Sequence, residues 1–322
     1  MPLIDLRSAF ETQIPFHYLM KKFGILFLLF LLTAFAAWKM LPIQQKNHGP
    51  LVRQSRSESP RVANNQLALN ERLKAAKEIS TDLTNEDLKH LLAFLAKPID
   101  ARTGEDDFMA INEVMNQLRI SGMSCGEYAN ALCSLIKDKQ AHPVVRDYAI
   151  QHAGTWMKDA ATSTSTAQIS EEDRKHLLDC FVAFLQEPSA LQETGYGTTL
   201  HMLRSMESDY PQETEELFLL NAPRIVKVAE GAEFAPLSNR VAAIQTLSAL
   251  PDKSEARKLL RKMITEASSG SPVKLVSIAT LGEVGDYSDL ATLRQVQQSD
   301  SRLTYAASSA ITRLESYLSA SK

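Results

Sequence analysis

Apolar residues recur at helical spacing along most of the chain. From Asn64 onward, amphipathic runs of 12–18 residues place apolar side chains at i, i+3 and i+6 or i+7, and short breaks separate the runs. One such stripe is Ile150, Ala153 and Trp156. The period-two alternation typical of strands is hard to find, and Ala, Leu, Glu, Lys and Gln fill much of the sequence. The pattern predicts an all-α fold.

The runs form a repeat. RDYAIQHAGTW at 146–156 returns as RVAAIQTLSAL at 240–250, and TNEDLKHLLAFL at 84–95 returns as SEEDRKHLLDCF at 170–181. Equivalent apolar positions recur every 30–50 residues, which is typical of an α-solenoid built from helix pairs. We therefore predict a leading helix at 64–79 and about six antiparallel pairs: 83–96 with 104–120, 124–138 with 143–158, 170–186 with 194–208, 212–230 with 236–250, 253–268 with 271–284, and 287–298 with 301–319.

Three segments resemble the second helix of HEAT repeats, including the short form found in phycobilisome-lyase-like proteins. They are VVRDYAIQHAG, SNRVAAIQTLS and SPVKLVSIATLGEVGD. The resemblance covers 143–158 and 236–314, is weak elsewhere, and lacks the Asp that this family tends to place six residues before the basic residue. It implies a right-handed α-solenoid over 64–322.

The N-terminal region has a different pattern. FGILFLLFLLTAFAA at 23–37 is uncharged and follows two lysines, so residues 1–42 are predicted to be a cleavable signal peptide or a membrane anchor. If the segment is uncleaved, 23–43 would contact the membrane. The polar residues 43–63 are predicted to be a disordered basic linker. Together these predict an exported protein or a single-pass membrane protein of the cell envelope.

Charge and cysteine content narrow the possible functions. The net charge is −3, of which residues 1–62 contribute +5, so residues 63–322 carry −8. An acidic folded region argues against nucleic-acid binding, which needs a basic face. Cys125, Cys133 and Cys180 are too few for a disulfide framework, and the sequence favours buried free thiols.

Catalytic and metal-binding motifs are absent from the sequence. There is no H-E-x-x-H, C-x-x-C, phosphate-binding glycine loop or G-x-S-x-G elbow, so we expect no cofactor and no bound metal. His90 and His176 occupy equivalent points of two repeats, which suggests a pair of ligands, but both lie at the polar edge of their helices, so we expect solvated or interfacial side chains there.

Basic residues recur at one repeat position. Arg146, Arg240 and Lys274 are the candidate partner-binding residues, since they could line a face that meets an acidic peptide. The alternative is that they form hydrogen bonds within their own turns.

Function remains open between two main classes. The missing catalytic residues favour a non-catalytic scaffold that binds an unidentified protein or peptide along its concave face. The alternative is a lyase-like or accessory enzyme component on a helical-repeat fold, and a third possibility is a purely structural role. A pocket that gathers His and Cys side chains from several repeats would favour the enzyme.

Overall fold

The protein is helical throughout its described part. The computed structural model describes residues 59–64, 66–79, 83–96, 105–121, 126–162, 168–266 and 269–320. Within these ranges the regular elements are fourteen α-helices and a 3-10 helix at Ser189–Gln192, with no strand. The α-helices are α1 (Ser59–Val62), α2 (Leu69–Glu78), α3 (Asn85–Leu95), α4 (Glu105–Ile120), α5 (Gly126–Lys137), α6 (Pro143–Ala161), α7 (Glu171–Gln186), α8 (Thr194–Ser205), α9 (Pro211–Glu230), α10 (Leu237–Thr246), α11 (Lys253–Thr265), α12 (Ser271–Val284), α13 (Asp289–Ser299) and α14 (Thr304–Ala320).

Consecutive helices pack in pairs, and each pair packs on the next. The even-numbered helices form one continuous row, in which each helix from α2 to α14 contacts the following even-numbered one. The odd-numbered helices α1, α3, α5, α7 and α9 contact one another in the same order. Such packing between neighbouring pairs is that of an α-solenoid. The all-α class is confirmed, and the helix pairs lie close to their predicted bounds.

The helix starts follow the local sequence. Thr84 and Asp87 form a capping box at the start of α3, and the Asp173 amide donates to the Ser170 hydroxyl at 3.0 Å at the start of α7. Pro143 stands at the start of α6, where a missing N–H costs no helical hydrogen bond. The leading helix is shorter than predicted, because α2 begins only at Leu69, after the separate short helix α1.

The apolar stripes form the core. The equivalent apolar positions of the repeat are all at most 4% exposed: Ile111, Ile150, Leu200, Ile244 and Ile278. Gly282 in α12 has no space for a side chain, since an added Cβ would lie 2.8 Å from the backbone of Ala310 in α14. Every second helix is buried between the helix pairs that precede and follow it. This explains why the chain repeats its apolar pattern.

Arginines near the starts of second helices cap the first helices of their pairs. In three pairs the Nε–H donates to a carbonyl at the end of the preceding helix, where the last backbone carbonyls have no helical N–H to accept from. The pairs are Arg72 with Val62 at 2.9 Å, Arg146 with Ile136 at 3.0 Å and Arg240 with Ala229 at 3.0 Å. The contacts join the two helices of a pair at one end.

The predicted N-terminal segment at 23–43 and the first part of the predicted linker, 43–58, lie outside the described residues. The end of that linker, which was predicted to be disordered as far as 63, forms the helix α1. Among the helices between Ser59 and Ala320, none is long and apolar enough to cross a membrane. The predicted cell-envelope location has no support among these helices, and residues 1–42, from which it was predicted, lie outside them. The division into residues 1–42, 43–63 and 64–322 stays a prediction.

Removing the Leu247 side chain should destabilise the neighbouring helix pairs. Leu247 is fully buried at the end of α10, which packs against α8, α9 and α12. Leu247→Ala should lower the free energy of unfolding by about 2–5 kcal/mol, through lost burial and the cavity left behind. Hydrogen exchange should rise in 211–284 and stay slow in 85–120, because repeats couple mainly to their neighbours.

The control is Leu237→Ala in the same helix, where the side chain is 52% exposed and the change should stay within about 0.5 kcal/mol. A uniform loss of protection across all the helices would contradict a solenoid.

Candidate functional site

Two cysteines and a histidine meet between consecutive helix pairs. Cys133 in α5 and Cys180 in α7 form a disulfide with their Cα atoms 5.8 Å apart. The His176 side chain joins them, and one ligand atom from each of the three residues lies within 4.8 Å of the others. Both cysteines are at most 2% exposed, whereas His176 is partly exposed. We call these three residues the thiol–imidazole cluster. The prediction of buried free thiols is wrong for Cys133 and Cys180, and Cys125 lies outside the described residues.

The helices place the cluster through ordinary packing. Helices α5 and α7 are the first helices of consecutive pairs and lie against each other. His176 and Cys180 are four residues apart in α7, so they occupy one face of that helix. Cys133 faces them from α5, and its Sγ lies 3.6 Å from the His176 carbonyl oxygen. The cluster therefore forms only when the face of α7 that carries His176 and Cys180 is turned towards α5 and packs against it.

A groove opens beside the cluster. It has a volume of about 580 Å³, and His176 is part of its wall. The α5–α7 groove is lined by Gly126, Asn130, Ser170, Glu172, Asp173, Lys175, His176 and Asp179. Three carboxylates and one lysine make its charge acidic. His176 therefore belongs both to the cluster and to the wall of an acidic groove, whereas neither cysteine lines that groove.

Three other described histidines have structural partners of other kinds. The His90 ring lies 3.3 Å from the Ser59 hydroxyl. His152 lies 2.9 Å from the Asn112 amide oxygen, and burial lowers the pKa of His152 to about 4. The His142 ring accepts from a backbone amide at the start of α6. His90 and His176 occupy equivalent positions in α3 and α7, as predicted, but of the two only His176 lies beside cysteines.

Arg146, a candidate partner-binding residue, is buried inside the protein. Its side chain is 2% exposed and its Nη atoms donate to Glu187 at 2.7 Å and Glu193 at 2.6 Å. Its guanidinium also lies over the Phe184 ring, 4.7 Å from the centroid. With Nε bonded to Ile136, the guanidinium joins α5, α6 and the α7–α8 connection and does not face a partner.

The two carboxylates on Arg146 differ in their electrostatics. Burial would raise the pKa of Glu187, but hydrogen bonds from Ser189 and Arg146 outweigh it and hold that pKa below its ordinary value. Burial raises the pKa of Glu193 above its ordinary value, and repulsion from Glu187 adds to the rise despite the attraction of Arg146. One buried guanidinium therefore forms ion pairs with two carboxyl groups whose pKa values shift in opposite directions.

The other two candidate residues are more accessible. Arg240 is half-buried and donates to the Ala229 and Glu230 carbonyls at the end of α9. Lys274 is half-buried near the start of α12. Hydrogen bonds from Arg302 lower the pKa of Asp300, and the charge of Lys274 adds a smaller contribution in the same direction. The structure therefore does not bring Arg146, Arg240 and Lys274 together into one site. Binding of a protein or peptide partner stays a prediction.

The sequence contains one signal for the cluster, in the two aligned segments at 84–95 and 170–181. Both segments have Lys-His-Leu-Leu, but Phe94 in the first corresponds to Cys180 in the second. That change places a thiol one helical turn after His176. The third member, Cys133, is 47 residues from Cys180, and only the packing of α5 on α7 joins them.

Comparisons with known proteins give little about identity. No family model matches the chain, and no curated protein matches it. Among solved structures, the human deoxyhypusine hydroxylase in complex with glycerol is similar at 15% identity and a TM-score of 0.29. The match covers 80% of this chain and 94% of that one.

The prediction of a non-catalytic scaffold that is not an enzyme is wrong. The thiol–imidazole cluster gathers His and Cys side chains from two helix pairs beside a groove, which is the arrangement expected of the enzyme alternative. The solved structure has a TM-score of 0.29 and transfers no activity to this chain.

Replacing Arg146 should destabilise the protein strongly. Arg146→Met leaves Glu187 and Glu193 largely buried without their cation, so the free energy of unfolding should fall by about 3–5 kcal/mol at neutral pH. Urea unfolding followed by circular dichroism measures the loss. The difference in unfolding free energy between the Arg146→Met variant and the unsubstituted protein should narrow as the pH falls. In the variant, protonation removes the two buried negative charges. In the unsubstituted protein, protonation of Glu187 removes the stabilisation that its lowered pKa provides at neutral pH.

The matched control is Arg240→Met, which loses hydrogen bonds to two carbonyls but leaves no carboxylate buried, and should cost about 1 kcal/mol. Equal losses in the two variants would mean that the carboxylates contribute nothing to the effect.

Proposed function

We propose that this chain is an enzyme component built on a HEAT-like, right-handed α-solenoid, and that its reactive centre is the thiol–imidazole cluster. The observation that carries the proposal is the convergence of two sulfur atoms and an imidazole, all within 4.8 Å, from two helix pairs beside an open groove. The proposed reaction is the reversible interconversion of dithiol and disulfide. The recurring helix pairs and the arginine caps support the solenoid.

Each group in the cluster has a defined role in this reaction. A small external thiolate attacks one sulfur of the Cys133–Cys180 disulfide, the S–S bond breaks, and the other sulfur leaves as a thiolate. His176, which lies beside the two sulfur atoms, supplies the proton that this thiolate takes up. A second external thiol, or the second thiol of a dithiol, then attacks the mixed disulfide. The products are the reduced pair and one external disulfide, so two electrons and two protons have been transferred.

Burial limits the substrate to small molecules. Cys133 is 2% exposed and Cys180 is fully buried, so a folded protein cannot bring its own thiol onto either sulfur. The α5–α7 groove of about 580 Å³ leads to His176 and is large enough for a small organic thiol or disulfide. The proposed substrate class is therefore a small thiol, which would have to reach the buried sulfur atoms past His176 in the groove wall.

The test measures reduction of the native protein. In a Cys125→Ser background, a small dithiol such as dithiothreitol should release two thiols per chain while the helical circular dichroism is unchanged. His176→Gln should slow this reaction by about 100-fold or more, since a positioned acid–base group contributes at least that much.

The matched control is His90→Gln, which alters the equivalent histidine of another pair and should leave the rate unchanged. If the thiols are released only after unfolding in urea, the disulfide is a structural cross-link and the proposed function is wrong.

A further inference from the structure

We infer that the reduced thiol–imidazole cluster binds a single Zn²⁺ ion through Cys133, His176 and Cys180, with a fourth coordination position open to the α5–α7 groove. Thiolate and imidazole are the side chains that Zn²⁺ prefers, and sites with three protein ligands and one open position are typical of catalytic zinc. The inference rests on the proposed function in one respect, because it needs a Cys133–Cys180 pair that can be reduced in the folded protein.

The distances fit a tetrahedral ion. Zn²⁺ lies about 2.3 Å from sulfur and about 2.0–2.1 Å from an imidazole nitrogen, so its ligand atoms are about 3.6–3.8 Å apart. The three ligand atoms of the cluster are already within 4.8 Å of one another. Breaking the S–S bond separates the two sulfur atoms to non-bonded contact, so the spacing that the ion needs is reached by a movement of less than about 2 Å.

The helix frame already orients the three ligands. His176 and Cys180 are one turn apart on one face of α7, and α5 holds Cys133 against that face. Because His176 belongs to the groove wall and the two cysteines are buried and do not line the groove, an ion bound to all three has protein on the sulfur side. Its fourth position therefore faces the groove, where water or a small molecule can occupy it.

The charges favour a cation at this place. Glu172, Asp173 and Asp179 line the groove with Lys175 as the basic residue among the lining, so the local charge is negative. Reduction adds two buried thiols, and their deprotonation without a cation would leave two buried negative charges, which is costly. A divalent ion neutralises both thiolates as they form, and the bound protons leave to solvent.

Zn²⁺ and the disulfide therefore exclude each other. Formation of the disulfide removes both sulfur ligands with two electrons, which pass to an external disulfide as the oxidant, and the ion is released. Binding to the reduced form alone also shifts the equilibrium toward the dithiol by mass action. Zn²⁺ should lower the dithiothreitol concentration needed for half-reduction.

The test uses the full chain in the Cys125→Ser background, reduced and freed of reductant without air. Co²⁺ is the probe, because tetrahedral thiolate coordination gives intense visible bands and a sulfur-to-cobalt charge-transfer band. We expect one Co²⁺ per chain, its displacement by Zn²⁺, and no binding to the oxidised protein. His176→Gln should weaken binding by about 100-fold or more, since even residues that only support a ligand contribute 10–100-fold.

His90→Gln is again the matched control, since its helix has Phe94 where α7 has Cys180, and it should keep the parent affinity. Cys133→Ser and Cys180→Ser should each abolish the charge-transfer band of the parent site, and circular dichroism identifies a variant that has failed to fold.

Two outcomes separate this inference from the proposed function. If two thiols appear in the native protein but no charge-transfer band develops, the zinc site is wrong and the dithiol–disulfide function stands. If the pair cannot be reduced in the folded protein, both are wrong. Equal Co²⁺ binding in the parent and in a folded Cys133→Ser variant would place the ion elsewhere and would also overturn the site.

Discussion

The buried guanidinium of Arg146 is the interaction on which the centre of the protein depends. A buried arginine must place its charge and its donors on acceptors, and Arg146 does so on the Ile136 carbonyl and the carboxylates of Glu187 and Glu193. These acceptors belong to the end of α5 and to the connection between α7 and α8. One side chain from α6 therefore fixes how two consecutive helix pairs meet, and it does so in a geometry that few alternative packings could satisfy.

The contacts of Arg146 lie about one helical turn from the thiol–imidazole cluster, both along α5 and along α7. Ile136, which accepts from Arg146 Nε, is three residues after Cys133 in α5. Phe184, whose ring lies under the guanidinium, is four residues after Cys180 in α7. The helix ends that Arg146 holds together are thus the ends of the segments that carry the two cysteines. The contacts of Arg146 therefore fix the position of Cys133 relative to Cys180. The proposed dithiol–disulfide reaction depends on that position.

The helices could be predicted from the sequence, because each one carries its own apolar period and its own capping residues. The role of Arg146 could not, since a basic residue at the start of an amphipathic helix has the same local pattern whether it faces solvent or an adjacent pair. Its recurrence at Arg240 was visible and suggested a binding face, yet both side chains bond to the preceding helix. The Cys133–Cys180 contact was hidden for a similar reason, because it joins different helix pairs and has no characteristic spacing.

The repeat explains how a reactive centre can arise at one place in such a chain. Helices α3 and α7 share the capping box sequence, the Lys-His-Leu-Leu segment and the burial of the first of its two leucines, so the shared residues serve the helix frame. The histidine comes with that frame in both helices, at His90 and at His176. Exchange of an apolar core residue for Cys180, opposite Cys133, is then enough to surround one of the two imidazoles with sulfur. Since each pair is stabilised mainly by its neighbours, such a local exchange leaves the distant pairs unaffected.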